Sequence, residues 1–102
     1  MSIDVTIQFV EACPHWATTY SLVAGLLDEA NIHAVLKTQL IGSSEEASEF
    51  EFRGSPTVLI DGTDPFFDPD MPVALACRLY LSPDGSSGVP PSQQLKEALT
   101  VR

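Results

Sequence analysis

Apolar and polar positions alternate strictly at the start of the chain: Ile3, Val5, Ile7 and Phe9 are separated by Asp4, Thr6 and Gln8. A period of two sends successive side chains to opposite faces, which predicts a half-buried β-strand. The period then lengthens. Trp16, Tyr20, Val23, Ala24, Leu27 and Ala30 recur at helical spacing, so a helix over residues 16–30 is expected to bury this stripe and end at Asn31, a residue that tolerates the left-handed conformation. Residues 33–41 return to a β-rich pattern. Ser43 followed by Glu46 is a capping-box signature that starts a short helix reaching Phe50 or Phe52, with Gly54 as its stop.

Thr57, Val58, Leu59 and Ile60 form a short continuous run between Pro56 and Gly62, the pattern of a central strand covered on both faces. An Asp- and Pro-rich loop follows over residues 61–72. A strand is expected near residues 76–81, then a Ser-Pro-Asp-Gly turn over 82–85 and a flexible stretch to Pro91. Ser92 is read as the cap of a last helix carrying Leu95, Ala98 and Leu99. The order is therefore β-α-β-α-β-β-α, an α/β chain. The right-handed crossover rule makes the first two strands parallel neighbours and the late pair a hairpin-like antiparallel extension, giving one four-stranded mixed sheet.

A chain of 102 residues suits one core, so residues 1–102 are read as a single domain. With 44% hydrophobic and 19% charged residues, the composition is neither disordered nor fibrous. Five basic against fourteen acidic residues leave a net charge of −9, which repels nucleic acid and anionic membranes and removes both from the expected partners. The longest apolar runs fall well short of the roughly 20 residues that span a bilayer. The first residues lack the basic start and apolar stretch of a secretory signal, so a cytoplasmic location is expected. There, Cys13 and Cys77 are expected to be free thiols rather than a structural disulfide.

Cys13 falls between the first strand and the first helix, where unpaired backbone N–H groups and the helix dipole stabilise an anion. Pro14 suits an early helical position because it has no N–H to leave unpaired, and the imidazole of His15 can add to the stabilisation of a thiolate. Cysteines in such settings have pKa values between about 3.5 and 7.5.

The element order, the Cys13-Pro14-His15 motif after the first strand, and Arg53-Gly54-Ser55-Pro56-Thr57 before a buried strand together resemble the thioredoxin superfamily over nearly the whole chain. Cys13-Pro14-His15 is similar to the first three positions of the Cys-Pro-His-Cys motif of periplasmic disulfide oxidases, and the strand-first start resembles the smaller, glutaredoxin-sized form of the fold. The resemblance implies a three-layer fold. It also implies a cis Ser55-Pro56 bond facing the reactive cysteine, with the Ser55 backbone available to an extended substrate. The implied activity is thiol–disulfide exchange at Cys13, without a cofactor, on a protein or low-molecular-weight thiol or disulfide. Trp16 stands where the family places its second cysteine, so the chain looks like a short bacterial monothiol-type member with a Cys-Pro-His-Trp motif. Release of a mixed disulfide then falls to an external thiol, to Cys77, or does not occur, and whether the chain is an enzyme stays open at this stage.

Other readings compete at each position. Free cysteines are more often small core residues than reactive ones, so Cys77 is expected to be buried and apolar, on a strand antiparallel to that of Thr57. His15 either tunes Cys13 or is merely solvated. Trp16 either restricts access to Cys13 or packs in the core, and Tyr20 is expected in the core. The Asp-rich loop is read as a solvated turn without calcium-loop spacing, and no metal ligands are assigned. Phe66 and Phe67 either form a partner patch or cover a sheet edge, and Glu45, Glu46, Glu49 and Glu51 solvate a helix. Two alternatives to exchange remain: a non-catalytic binding module using Cys13, Trp16 and Pro56, and soft-metal or organomercurial capture by Cys13 with Cys77. The sequence leaves the oligomeric state undefined.

Overall fold

The first alternating segment forms the middle strand of a mixed sheet. In the computed structural model, which describes residues 2–83 and 85–100, β1 is Ile3–Phe9. It pairs in parallel with β2, Ala34–Leu40, and antiparallel with β3, Thr57–Ile60, in the order β2-β1-β3. The register puts Val5 opposite Ile60 and Ile7 opposite Val58, so these four side chains share one face. Two helices cover that face. Helix α1, His15–Glu29, contributes Val23 and Leu27, and the C-terminal helix contributes Leu95 and Leu99, completing one buried cluster. A smaller cluster of Ile41, Ala47 and Phe52, with Val10 against it, packs beyond the end of β1.

Helix α1 ends as its sequence implies, with Asn31 at φ 54°. Its buried face differs from the expected one: Thr19 is buried and Tyr20 is exposed, which corrects the placement of Tyr20 in the core. The helix tolerates a buried threonine because its hydroxyl donates to the His15 carbonyl at 3.0 Å, leaving no unsatisfied polar group. Helix α2, Ser44–Glu49, has the expected cap, with the Ser43 hydroxyl accepting from the Glu46 N–H at 3.1 Å. It stops before Gly54, because Phe50 is its C-cap and Glu51 takes φ 51°. Gly54 is needed for a different reason. Its φ of 117° is poorly suited to side chains, and a Cβ there would lie 2.8 Å from the Cβ of Arg78.

The late chain departs furthest from expectation. Among the described residues the sheet containing β1 has three strands, in which β3 is an outer one, and the expected fourth strand is not shown. Strand β4, Tyr80–Ser82, pairs instead with β5, Gly85–Ser87, in a separate two-stranded ribbon, so residues expected to be flexible are a strand. Within the expected turn, Asp84 lies outside the described residues. Ahead of β4, Cys77 makes one bridge to Ser55, and that bridge is parallel, not antiparallel. The connection from β3 explains the direction: a parallel approach needs a crossover of about a dozen residues or more, and residues 61–76 provide one. The last helix, α3, is Ser92–Thr100, so Ser92 is its first residue while the Leu95 N–H donates to the Pro91 carbonyl at 3.0 Å. Among the described residues, no helix is long and apolar enough to cross a membrane.

Because Leu95 is completely buried between α3 and the sheet, Leu95→Ala is expected to lower unfolding stability by about 2–5 kcal/mol in urea titration. An unchanged midpoint would show that α3 does not close the core.

Candidate functional site

Cys13 is placed by the tight exit from β1. Its N–H donates to the Val10 carbonyl at 3.1 Å, and the chain then enters α1 with Pro14 as the N-cap. The turn directs the sulfur inward. Cys13 is 0% exposed, and its Sγ lies 3.5 Å from the carbonyl oxygen of Ser55. The Ser55-Pro56 peptide bond is cis, and both residues are buried.

Ser55 is the junction of the site. Its hydroxyl oxygen accepts from the Val10 N–H at 3.1 Å, tying it to the turn before Cys13. Its own N–H donates to the Ala76 carbonyl at 2.7 Å, and its carbonyl accepts from the Arg78 N–H at 2.8 Å. The Ser55 backbone is therefore occupied by residues 76–78 of the same chain, which corrects the expectation that it is available to a substrate. This pairing also carries Cys77 to the site. The Cys77 side chain hydrogen-bonds to the Cys13 sulfur, while the residue as a whole is exposed. The expectation of a buried, apolar Cys77 is thereby overturned: Cys77 is exposed, on a segment bridged to Ser55 instead of packed in the core.

The two thiols have opposite electrostatic settings. Burial pushes the Cys13 thiol up, but hydrogen bonds from the Cys77 side chain, the His15 backbone N–H and the Ser55 side chain outweigh it and hold the pKa below the ordinary thiol value. Cys77 is pushed up. Its proton bridges to Cys13, burial adds a smaller penalty, and a second negative charge beside Cys13 is unfavourable. The pair therefore loses its two protons over separated pH ranges, Cys13 first.

The segment bearing Cys77 is anchored by Arg78, which sequence reasoning did not single out. Its guanidinium side chain is 1% exposed and donates to Asp64 Oδ2 at 2.8 Å, to the Phe66 carbonyl at 2.6 Å and to the Thr57 hydroxyl at 3.3 Å. It also lies over the Tyr80 ring, 4.6 Å from the centroid. Only Nε is without a partner among the described residues. Asp64, half-buried, departs from the solvated loop that was expected, and Asp64 Oδ1 additionally accepts from the Phe66 N–H at 2.8 Å. A single arginine inside the otherwise apolar stretch after Met71, downstream of an Asp-rich loop, was the available signal for a buried ion pair. Tyr80 completes the anchor, its hydroxyl donating to the Pro56 carbonyl and its ring meeting Phe66 edge-on.

The remaining predicted residues divide. Pro14 is exposed at the helix start. His15 contributes to Cys13 through its backbone N–H, while its ring packs so closely on Gly88 that any Cβ there would collide with it. Trp16 is half-buried and stacks on Phe9, with centroids 4.4 Å apart, so one indole face is already covered. Phe66 packs against the main core, whereas Phe67 is exposed and lies beneath Arg53. Cys13, Ser55, Pro56 and Cys77 form the cluster; Pro14 and Trp16 flank it. No known family model, curated protein or solved structure matches the chain.

Asp64→Ala strands the buried Arg78 cation and is expected to cost about 3–5 kcal/mol of stability in urea titration, with a change under 1 kcal/mol contradicting the ion pair as an anchor. Burial, with a smaller push from Asp64 that Arg78 opposes, raises the Tyr80 pKa well above its ordinary value. The folded chain therefore holds a proton that the unfolded chain releases at high pH. Stability from Tyr80 is complete below about pH 10 and declines as pH rises above it, and Tyr80→Phe should remove that part of the alkaline loss in pH-dependent unfolding.

Proposed function

We propose that the chain is a thioredoxin-like protein of three-layer architecture that performs thiol–disulfide exchange through Cys13. The observation that carries this reading is the placement of Cys13 at the entrance to α1 against the Ser55-Pro56 bond, where hydrogen bonds from the Cys77 side chain, the His15 backbone and the Ser55 side chain outweigh its burial and hold its pKa below the ordinary thiol value. A thiolate, not a thiol, attacks a disulfide, so a depressed pKa raises the reactive fraction at neutral pH.

Exchange begins when the Cys13 thiolate attacks one sulfur of a substrate disulfide. The new bond joins Cys13 to that sulfur, and the other substrate sulfur leaves as a thiolate. Cys13 has no exposed surface, so a substrate sulfur reaches it through a shift of the side chains that cover it, on the side where Cys77 is exposed. Val73, Leu75, Leu79 and Leu81, on either side of Cys77 in the sequence, are all exposed, and apolar surface of this kind suits a protein disulfide better than a small polar one. The proposed compartment is the cytoplasm, where glutathione and thioredoxin systems keep such thiols reduced.

Release of a chromogenic aromatic thiolate from its disulfide, followed across pH, tests this reading. The wild-type chain is expected to show a midpoint below about 8.5, the ordinary cysteine value. Cys13→Ser should retain only the slower reaction of Cys77, without that low-pH limb. Identical profiles for the two proteins would remove Cys13 as the exchanging thiol.

A further inference from the structure

We infer that Cys77 is the resolving thiol of this protein: it closes an intramolecular disulfide with Cys13 and so takes the part that Trp16, at the position three residues after Cys13, cannot play. This rests on the exchange reading above and specifies how that exchange ends.

Two independent features, a β-bridge with its hydrogen bonds and a buried arginine, bring the Cys77 segment to the site of Cys13. Cys77 is the β-bridge partner of Ser55, the residue whose carbonyl touches the Cys13 sulfur. Two backbone hydrogen bonds, from the Ser55 N–H to Ala76 and from the Arg78 N–H to Ser55, fix the segment on both sides of Cys77. The neighbouring Arg78 side chain is buried and bound to Asp64, Thr57 and Phe66, which sets the register of the whole segment. Gly54 contributes by its lack of a side chain, because a Cβ there would be 2.8 Å from that of Arg78 and would push the segment away.

The chemistry balances with the substrate disulfide as oxidant. After Cys13 has formed a mixed disulfide with one substrate half, Cys77 loses its proton to water or to the departed thiolate and attacks the Cys13 sulfur. The bond between Cys13 and the substrate breaks, the substrate half leaves as a second thiolate, and a disulfide joins Cys13 to Cys77. Two substrate sulfurs are reduced and two protein sulfurs are oxidised. The sequence of events is also electrostatically ordered. While Cys13 is an anion, its hydrogen bond and its charge keep Cys77 protonated; once Cys13 is bonded to substrate, both influences disappear and Cys77 ionises more readily. The resolving thiol becomes reactive only after the first step has occurred.

The test uses the full reduced chain, oxidised glutathione as the probe and intact mass as the readout, with circular dichroism confirming that each variant is folded. The wild-type chain is expected to become two hydrogens lighter, with glutathione released and a Cys13-to-Cys77 crosslink found by peptide mapping. Cys77→Ser and Cys77→Ala should each hold glutathione on Cys13, with a lifetime at least about tenfold longer than in the wild type, because the intramolecular attack is gone. Persistent glutathione on Cys13 in the wild type, with the same lifetime as in the variants, would overturn Cys77 as the resolving thiol while leaving exchange at Cys13 intact. Failure of the wild-type chain to form either a mixed disulfide on Cys13 or the Cys13-to-Cys77 crosslink would overturn the exchange reading itself.

Discussion

The backbone of Ser55 is the constraint on which the site depends. Its N–H and carbonyl both pair with the chain's own residues 76–78, at 2.7 and 2.8 Å, and the same carbonyl receives the Cys13 sulfur. One residue therefore joins the turn after β1, the start of β3 and the segment that carries the second thiol. The core beneath, from Val5, Ile7, Val58 and Ile60 with α1 and α3, holds the two strands in register and so fixes Ser55 relative to Cys13. Arg78 holds the third component from the other side, through a nearly buried ion pair whose remaining donors reach a carbonyl and a hydroxyl. Such a pair adds little net stability over an apolar replacement but strongly penalises any arrangement that separates it, which is the property needed to hold a segment in one register.

A completely buried sulfur would ordinarily resist ionisation. Here three donors converge on it, from Cys77, from the His15 backbone and from Ser55, and they outweigh the desolvation. The Arg78 guanidinium is committed to Asp64 and the Tyr80 face, and the His15 ring packs on Gly88. Thiolate stabilisation at this site is thus a matter of hydrogen bonding more than of a neighbouring cation, and its largest favourable contribution comes from the second thiol. Loss of Cys77 would therefore remove both the donor that activates Cys13 and the sulfur that could recapture it.

Much of the frame was legible in the sequence because it rests on local periodicity. The alternation of Ile3 to Phe9, the Ser43 cap and the Asn31 terminus are short-range signals, and the structure follows them. Burial on α1 shifted by one residue because a threonine can satisfy its own hydroxyl within the helix, a possibility that hydropathy does not register. The later chain was less legible. The parallel approach of Cys77 depends on how residues 61–76 fold back, and that path is set by the bond between Asp64 and Arg78, two residues whose partnership no local pattern announces. Cys13 and Ser55 were identifiable as candidate site residues; the pairing of Cys77 with Ser55 was not, since it follows from register.

Thiolate ultraviolet absorbance, titrated in the reduced wild-type chain and in Cys77→Ala, addresses the central relation most directly. One thiolate should form in the wild type below the ordinary cysteine range, the second only above it, and the Cys13 transition should move to higher pH when Cys77 is replaced. Two overlapping ordinary transitions in the wild type, or a Cys13 transition unmoved by Cys77→Ala, would contradict the coupling of the two sulfurs through Ser55.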